Sequence, residues 1–163
     1  KLLRNKIKNH PRYPYHLLRE EMQEFILDKL QLLIERKLIK GIGENGTEYT
    51  VIAQILDLPK EILRLIQKFD FTKKNPKLIY INTGETMISL QDSILVTFLN
   101  LAGFDILFFV PTGYQSVENY FAEKLMEEHQ IGEYKYDMQV PDLNNISTNS
   151  PRPSWRRKLF RRG

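Results

Sequence analysis

Two short stretches carry the residues best suited to hold a ligand. Ile81-Asn82-Thr83-Gly84-Glu85 closes one apolar run, and Ser89 follows it. Val110-Pro111-Thr112-Gly113-Tyr114 closes another, and Ser116 follows it. Glycine lets main chain approach a ligand closely, and a helix amino terminus favours anions. Thr83, Thr112 and Ser116 offer hydroxyls to a phosphate or sugar, and Tyr114 offers a ring for stacking. Glu85 and Glu118 are the candidates for acid–base or metal work. The expected ligand-binding set is therefore Thr83, Gly84, Glu85, Thr112, Gly113, Tyr114 and Ser116. The same residues also read as plain loops, since Thr-Gly is a common turn pair and serine a common helix cap. They name no reaction and no cofactor.

Sharper motifs fail on context. Gly41-Ile42-Gly43-Glu44-Asn45-Gly46 matches G-x-G-x-x-G as a string, but it follows a helical pattern, not a strand. A turn at Asn45-Gly46 explains it better. No Gly-Lys-Ser or Gly-Lys-Thr occurs, so there is no P-loop. No H-E-x-x-H and no G-x-S-x-G occurs either. His10, His16 and His129 are scattered, so no metal site is expected. With no cysteine, thiol catalysis, thiolate zinc sites and disulfides are excluded.

The elements that must position these residues follow from spacing. Phe25, Ile26, Leu30, Leu33, Ile34 and Leu38 recur at helical period. Glu20, Glu21 and Glu24 precede them, Arg36, Lys37 and Lys40 close them, and Gly41 is expected to stop the helix. Further helices are expected near 50–56 and 59–69, the latter with Pro59 in its first turn. A strand is expected at Lys77–Ile81, a helix at 89–102 and a strand at 105–110. The unbroken apolar character of 105–110 predicts burial on both faces. A second helix is expected at 116–129, and alternation of Tyr134, Tyr136, Met138 and Val140 suggests a third strand at 133–140. Strand–helix–strand–helix order implies parallel strands, and ligands bind at the carboxyl ends of such strands. The helices near 50–69 also have a helix-turn-helix look, with Lys60, Arg64, Gln67 and Lys68 beside Glu61. Their acidic surroundings favour two packed helices, so nucleic acid is not the expected partner.

Charge is unevenly placed. The net charge of +4 comes from 24 basic and 20 acidic residues. Residues 1–19 carry six cations and no acid, and residues 152–163 do the same. The span 20–151 keeps the other twelve cations against all 20 acids, so an acidic body lies between basic ends. The basic balance is thus no sign of a nucleic-acid-binding body. The end mixes six cations with Trp155, Leu159 and Phe160, a composition suited to a solvated terminus, to weak peripheral contact with anionic lipid or nucleic-acid phosphate, or to packing on the acidic body of its own or a partner protein. No apolar run nears the ~18 residues of a membrane span.

With 42% hydrophobic and 27% charged residues over 163 positions, the bulk is globular. The chain divides into a basic connecting segment (1–19), a helical region (20–72), an α/β unit (73–143) and a polar linker with a basic tail (144–163). The expected class is α/β, with a Rossmann-like strand-helix-strand-helix unit after a helical region. Two or three strands make a thin sheet, which suggests a fragment of a larger protein.

The stretch from Asp70-Phe71-Thr72 through Pro76-Lys77-Leu78-Ile79-Tyr80-Ile81-Asn82-Thr83-Gly84-Glu85 resembles the Bacillus-type YceG family. So do Gly103-Phe104-Asp105-Ile106 and Pro111-Thr112-Gly113-Tyr114-Gln115. The resemblance covers about a third of the chain and implies the C-terminal part of a longer, cytoplasmic bacterial protein. It also implies a biosynthetic-module component encoded with tellurite- and stress-resistance genes, with operon proteins as partners. It transfers no catalytic residue. Two functions are therefore expected to compete. The first is an α/β domain binding a nucleotide or other phosphate-bearing, anionic metabolite. The second is a non-catalytic interaction module whose tail, 152–163, contacts an anionic surface.

Overall fold

The computed structural model describes residues 2–68, 74–84, 88–114 and 117–140. Among the described residues, five helices and two strands follow in order: α1 (Arg4–Lys8), α2 (Glu20–Glu35), α3 (Thr47–Ile55), α4 (Lys60–Lys68), β1 (Lys77–Ile81), α5 (Leu90–Leu101) and β2 (Asp105–Phe109). The class is α/β, with a small parallel sheet beside a larger helical part.

Helix α5 joins the two parts. Its apolar residues occur on every side, as in a helix sandwiched between layers. Ile94, Phe98 and Leu99 are fully buried. It packs on α2 and α3, and on β2. Two hydroxyls buried in it are satisfied within the helix. Ser93 Oγ donates to Ser89 O at 2.9 Å and Thr97 Oγ1 to Ser93 O at 2.7 Å.

Helix α2 forms because Met22, Ile26, Leu30 and Leu33 line one buried face, while Glu20 and Glu21 occupy its first turn. It ends earlier than the spacing predicts. Lys37 takes a left-handed φ of 51°, four residues before Gly41. The chain then turns so that Ile39 can bridge Phe121 in antiparallel sense. Lys40 N donates to Tyr120 O and Ala122 N to Leu38 O, both at 2.9 Å.

The basic start of the chain is held by the acidic face of α2. Lys8 pairs with Glu20 and, at 2.7 Å, with Glu24. Arg4 pairs with Asp28 and donates from Nε to Gln31 Oε1 at 2.7 Å. Such exposed pairs contribute about 0–1 kcal/mol each. Tyr13 and Tyr15 anchor the segment more firmly, as both are buried. The Tyr15 hydroxyl donates to Ile55 O at 2.6 Å and accepts from Leu58 N at 3.1 Å. One phenol thus clamps the turn between α3 and α4.

Strands β1 and β2 pair in parallel with Lys77 opposite Asp105 and Ile81 opposite Phe109. Leu78, Tyr80, Ile106 and Phe108 pack toward the core. The other face is uncovered by described residues, contrary to the two-sided burial expected for 105–110. Ile79 is 57% exposed, Ile81 38%, Leu107 50% and Phe109 41%.

Two expected elements are absent among the described residues. Residues 117–129 form turns, a bridge, a bend and irregular chain in place of a helix. Val117 and Phe121 are buried, but the main chain around Phe121 bonds to 38–40, and this tertiary pairing overrides helix propensity. Residues 133–140 form no strand, because neither β1 nor β2 pairs with them. No helix among the described residues is long and apolar enough to cross a membrane.

Replacing Tyr15 by Phe would leave the Ile55 carbonyl and the Leu58 amide unpaired. The expected loss is about 1–3 kcal/mol, read from urea unfolding. Burial pushes the Tyr15 hydroxyl up to about 12, so the folded chain holds this proton. Its contribution is complete below about pH 10 and falls as pH rises toward 12. The Tyr15→Phe variant should lack that part of the alkaline limb.

Candidate functional site

The parallel register decides where the two Thr-Gly loops go. Asn82 N donates to Phe109 O at 2.9 Å, extending the ladder one step past β1. Thr83-Gly84 and Thr112-Gly113 therefore leave the same carboxyl edge, on strands spaced about 4.8 Å apart.

The first loop is shaped by Asn82, whose Oδ1 accepts from Gly84 N at 3.2 Å. Thr83 and Gly84 are half-buried. Beyond them Ser89 caps α5, accepting from Asp92 N at 3.0 Å and donating to Asp92 Oδ2 at 2.7 Å. Tyr80 OH lies 3.5 Å from the same carboxylate oxygen. Burial pushes the Tyr80 hydroxyl's pKa up, and the Asp92 charge adds to the shift. A carboxylate thus already sits in the first turn of α5, where the helix dipole favours an anion.

The second loop turns on itself. Gly113 N donates to Val110 O at 3.0 Å. Thr112 is buried, and its Oγ1 accepts from Tyr114 N at 3.4 Å. Tyr114 stays 48% exposed, leaving ring surface free. Gly113 has φ 69°, and a Cβ there would overlap the ring of Tyr134. Lys135 N donates to Pro111 O at 2.8 Å, which draws this later stretch onto the loop.

Thr83, Gly84, Thr112, Gly113 and Tyr114 are thus gathered at one edge. Glu85 and Ser116 lie outside the described residues. Glu118 belongs to the turn leading into the Phe121 bridge, where its carbonyl accepts from Phe121 N at 3.1 Å. With no helix over 117–129, the second loop is followed there by no helix amino terminus, and among the described residues α5 alone supplies one at this edge. Asn82, Asp92, Tyr134 and Lys135 join the edge without having been singled out by sequence. Asn82 was legible as a residue that bonds an amide two positions on. Nothing local links Tyr134 to Gly113, 21 positions earlier. The glycine-rich stretch 41–46 closes on its own helix, as Gly43 N donates to Glu48 Oε2 at 3.1 Å. No group of three or more metal-ligating side chains occurs among the described residues.

Residues 1–147 match the YceG domain family. The chain belongs to this family. Among curated proteins it is similar to the "Uncharacterized protein YceG" of Bacillus subtilis (strain 168), at 31% identity over 93 residues. That match covers 55% of this chain and 17% of the relative, so the chain corresponds to a small share of the relative's length. No solved structure matches.

In this YceG domain the role of Gly113 is separable by experiment. Gly113→Ala meets both the φ of 69° and the Tyr134 ring. The left-handed backbone costs about 1–2 kcal/mol for a residue with a Cβ. In a Gly113→Ala, Tyr134→Ala cycle the two changes should be non-additive by at least about 0.5 kcal/mol in urea unfolding. Additive changes would show that the ring does not constrain the glycine.

Proposed function

We propose that this YceG-family chain is a Rossmann-like α/β unit that binds a phosphate-bearing or other anionic metabolite at the carboxyl ends of β1 and β2. Its setting is a cytoplasmic bacterial stress- and tellurite-resistance system. The observation supporting the reading is that Thr83-Gly84 and Thr112-Gly113 leave the same edge of adjacent parallel strands. Open α/β sheets bind ligands there. Thr83 supplies a hydroxyl and Gly84 a close main-chain approach. Buried Thr112 shapes the second loop, Tyr114 offers its exposed ring, and the main chain of Lys135 is drawn alongside. Glu85 and Ser116 adjoin the same loops in sequence. No reaction is assigned.

A thermal-shift panel of nucleotides, nucleotide sugars and simple phosphates, with and without magnesium, tests the reading. A ligand bound to the folded state raises the midpoint. One ligand class is expected to do so dose-dependently, and Thr83→Ala should weaken its binding several-fold. Asp92→Asn removes the negative charge at the first turn of α5 and should strengthen it by about two- to five-fold, the range of a helix-end charge. Unchanged affinity in Thr83→Ala would remove the edge as the site. No shift with any ligand would leave the non-catalytic interaction module as the better reading.

A further inference from the structure

Parallel strands are ordinarily covered on both faces, and their sequences are apolar on both sides for that reason. Here one face carries Ile79 beside Leu107 and Ile81 beside Phe109, as the register requires. All four are between 38% and 57% exposed. The Lys77–Asp105 ion pair closes one end of this strip, and Asn82 follows at the other. The patch is contiguous, apolar and without a partner among the described residues.

Its size bears on what can cover it. Four half-exposed side chains offer roughly 300–400 Å². A stable interface between separate molecules takes about 800 Å² from each partner. A free partner held by this patch alone would bind weakly. A tethered segment is different, because its association is intramolecular and its effective concentration is high.

This chain contains a segment with the matching chemistry. Residues 152–163 hold Trp155, Leu159 and Phe160 among six cations, with no acid. The Lys135–Pro111 bond fixes the chain at the carboxyl end of β2 before it reaches Val140. The 15 residues from Val140 to Trp155 span up to about 50 Å when extended, against about 17 Å for a five-residue strand. Residues 117–140 carry six acidic and two basic residues, so the neighbourhood of the tether has the opposite charge.

We propose that residues 152–163 fold back and seat Trp155, Leu159 and Phe160 on the face formed by Ile79, Ile81, Leu107 and Phe109. Their cations face the acidic stretch 117–140. The proposal concerns the sheet face and stands independently of ligand binding at the strand ends.

Trp155 is the one tryptophan in the sequence, so its emission reports this contact directly. In the full chain at low salt, emission should be blue-shifted, and acrylamide quenching at least two-fold weaker than in a free 152–163 peptide. Leu107→Asp should return both readings to the peptide values. A Leu159→Ser, Phe160→Ser variant, which leaves the folded body untouched, should do the same. Peptide-like quenching in the unaltered chain would overturn the proposal. So would protection that survives both sets of substitutions. Protection that grows with protein concentration alongside a doubled mass in light scattering would assign the face to a second copy and overturn it as well.

Discussion

The structure depends on one helix being buried on opposite sides at once. α5 has α2 and α3 against one side and β2 against another. That arrangement leaves no wet face for Ser93 or Thr97, so both hydroxyls must bond back to carbonyls four residues earlier. It also fixes the direction of the sheet. β1 runs out, α5 returns through the core, and β2 runs out beside β1. The amino end of α5 and both Thr-Gly loops therefore share an edge, and the geometry of the candidate site is a consequence of how α5 is packed.

Where local pattern and tertiary demand agree, the sequence was sufficient. β1, α5 and β2 lie where apolar runs and a serine cap put them, and the parallel pairing follows from strand–helix–strand order. The candidate loops were legible for the same reason. Where distant contacts decide, local pattern misled. Residues 116–129 have helical spacing, but Phe121 is taken by Ile39, 82 positions away. Residues 133–140 alternate like a strand, yet a strand needs a ladder, and among the described residues only Lys135 finds a main-chain partner, at Pro111. That bond brings Tyr134 against Gly113, a contact no window of sequence contains.

Charge shows the same division. The excess of cations in residues 1–19 is visible in the sequence, where they read as a basic connecting segment. In the folded chain Arg4 and Lys8 meet Glu20, Glu24 and Asp28 on α2. Part of the basic start is thereby neutralised within the domain. What the sequence could not show is that α1 lies along the face of α2 carrying Glu20, Glu24 and Asp28 at intervals of four. The basic character left for outside partners is correspondingly smaller than the counts imply.

The carboxyl edge and the outward sheet face are chemically distinct. The edge is rich in main-chain donors and hydroxyls, and suits a ligand held by hydrogen bonds. The face offers four apolar side chains and no polar group between its two ends. Yet they adjoin, because Ile81 and Phe109 are the last strand residues before the two loops. Along the chain, Thr83 lies two residues beyond Ile81 and Pro111 two beyond Phe109. The face and the edge are therefore neighbours with separate demands, and a chain apolar on both sides of its strands carries only the requirement that the face be covered.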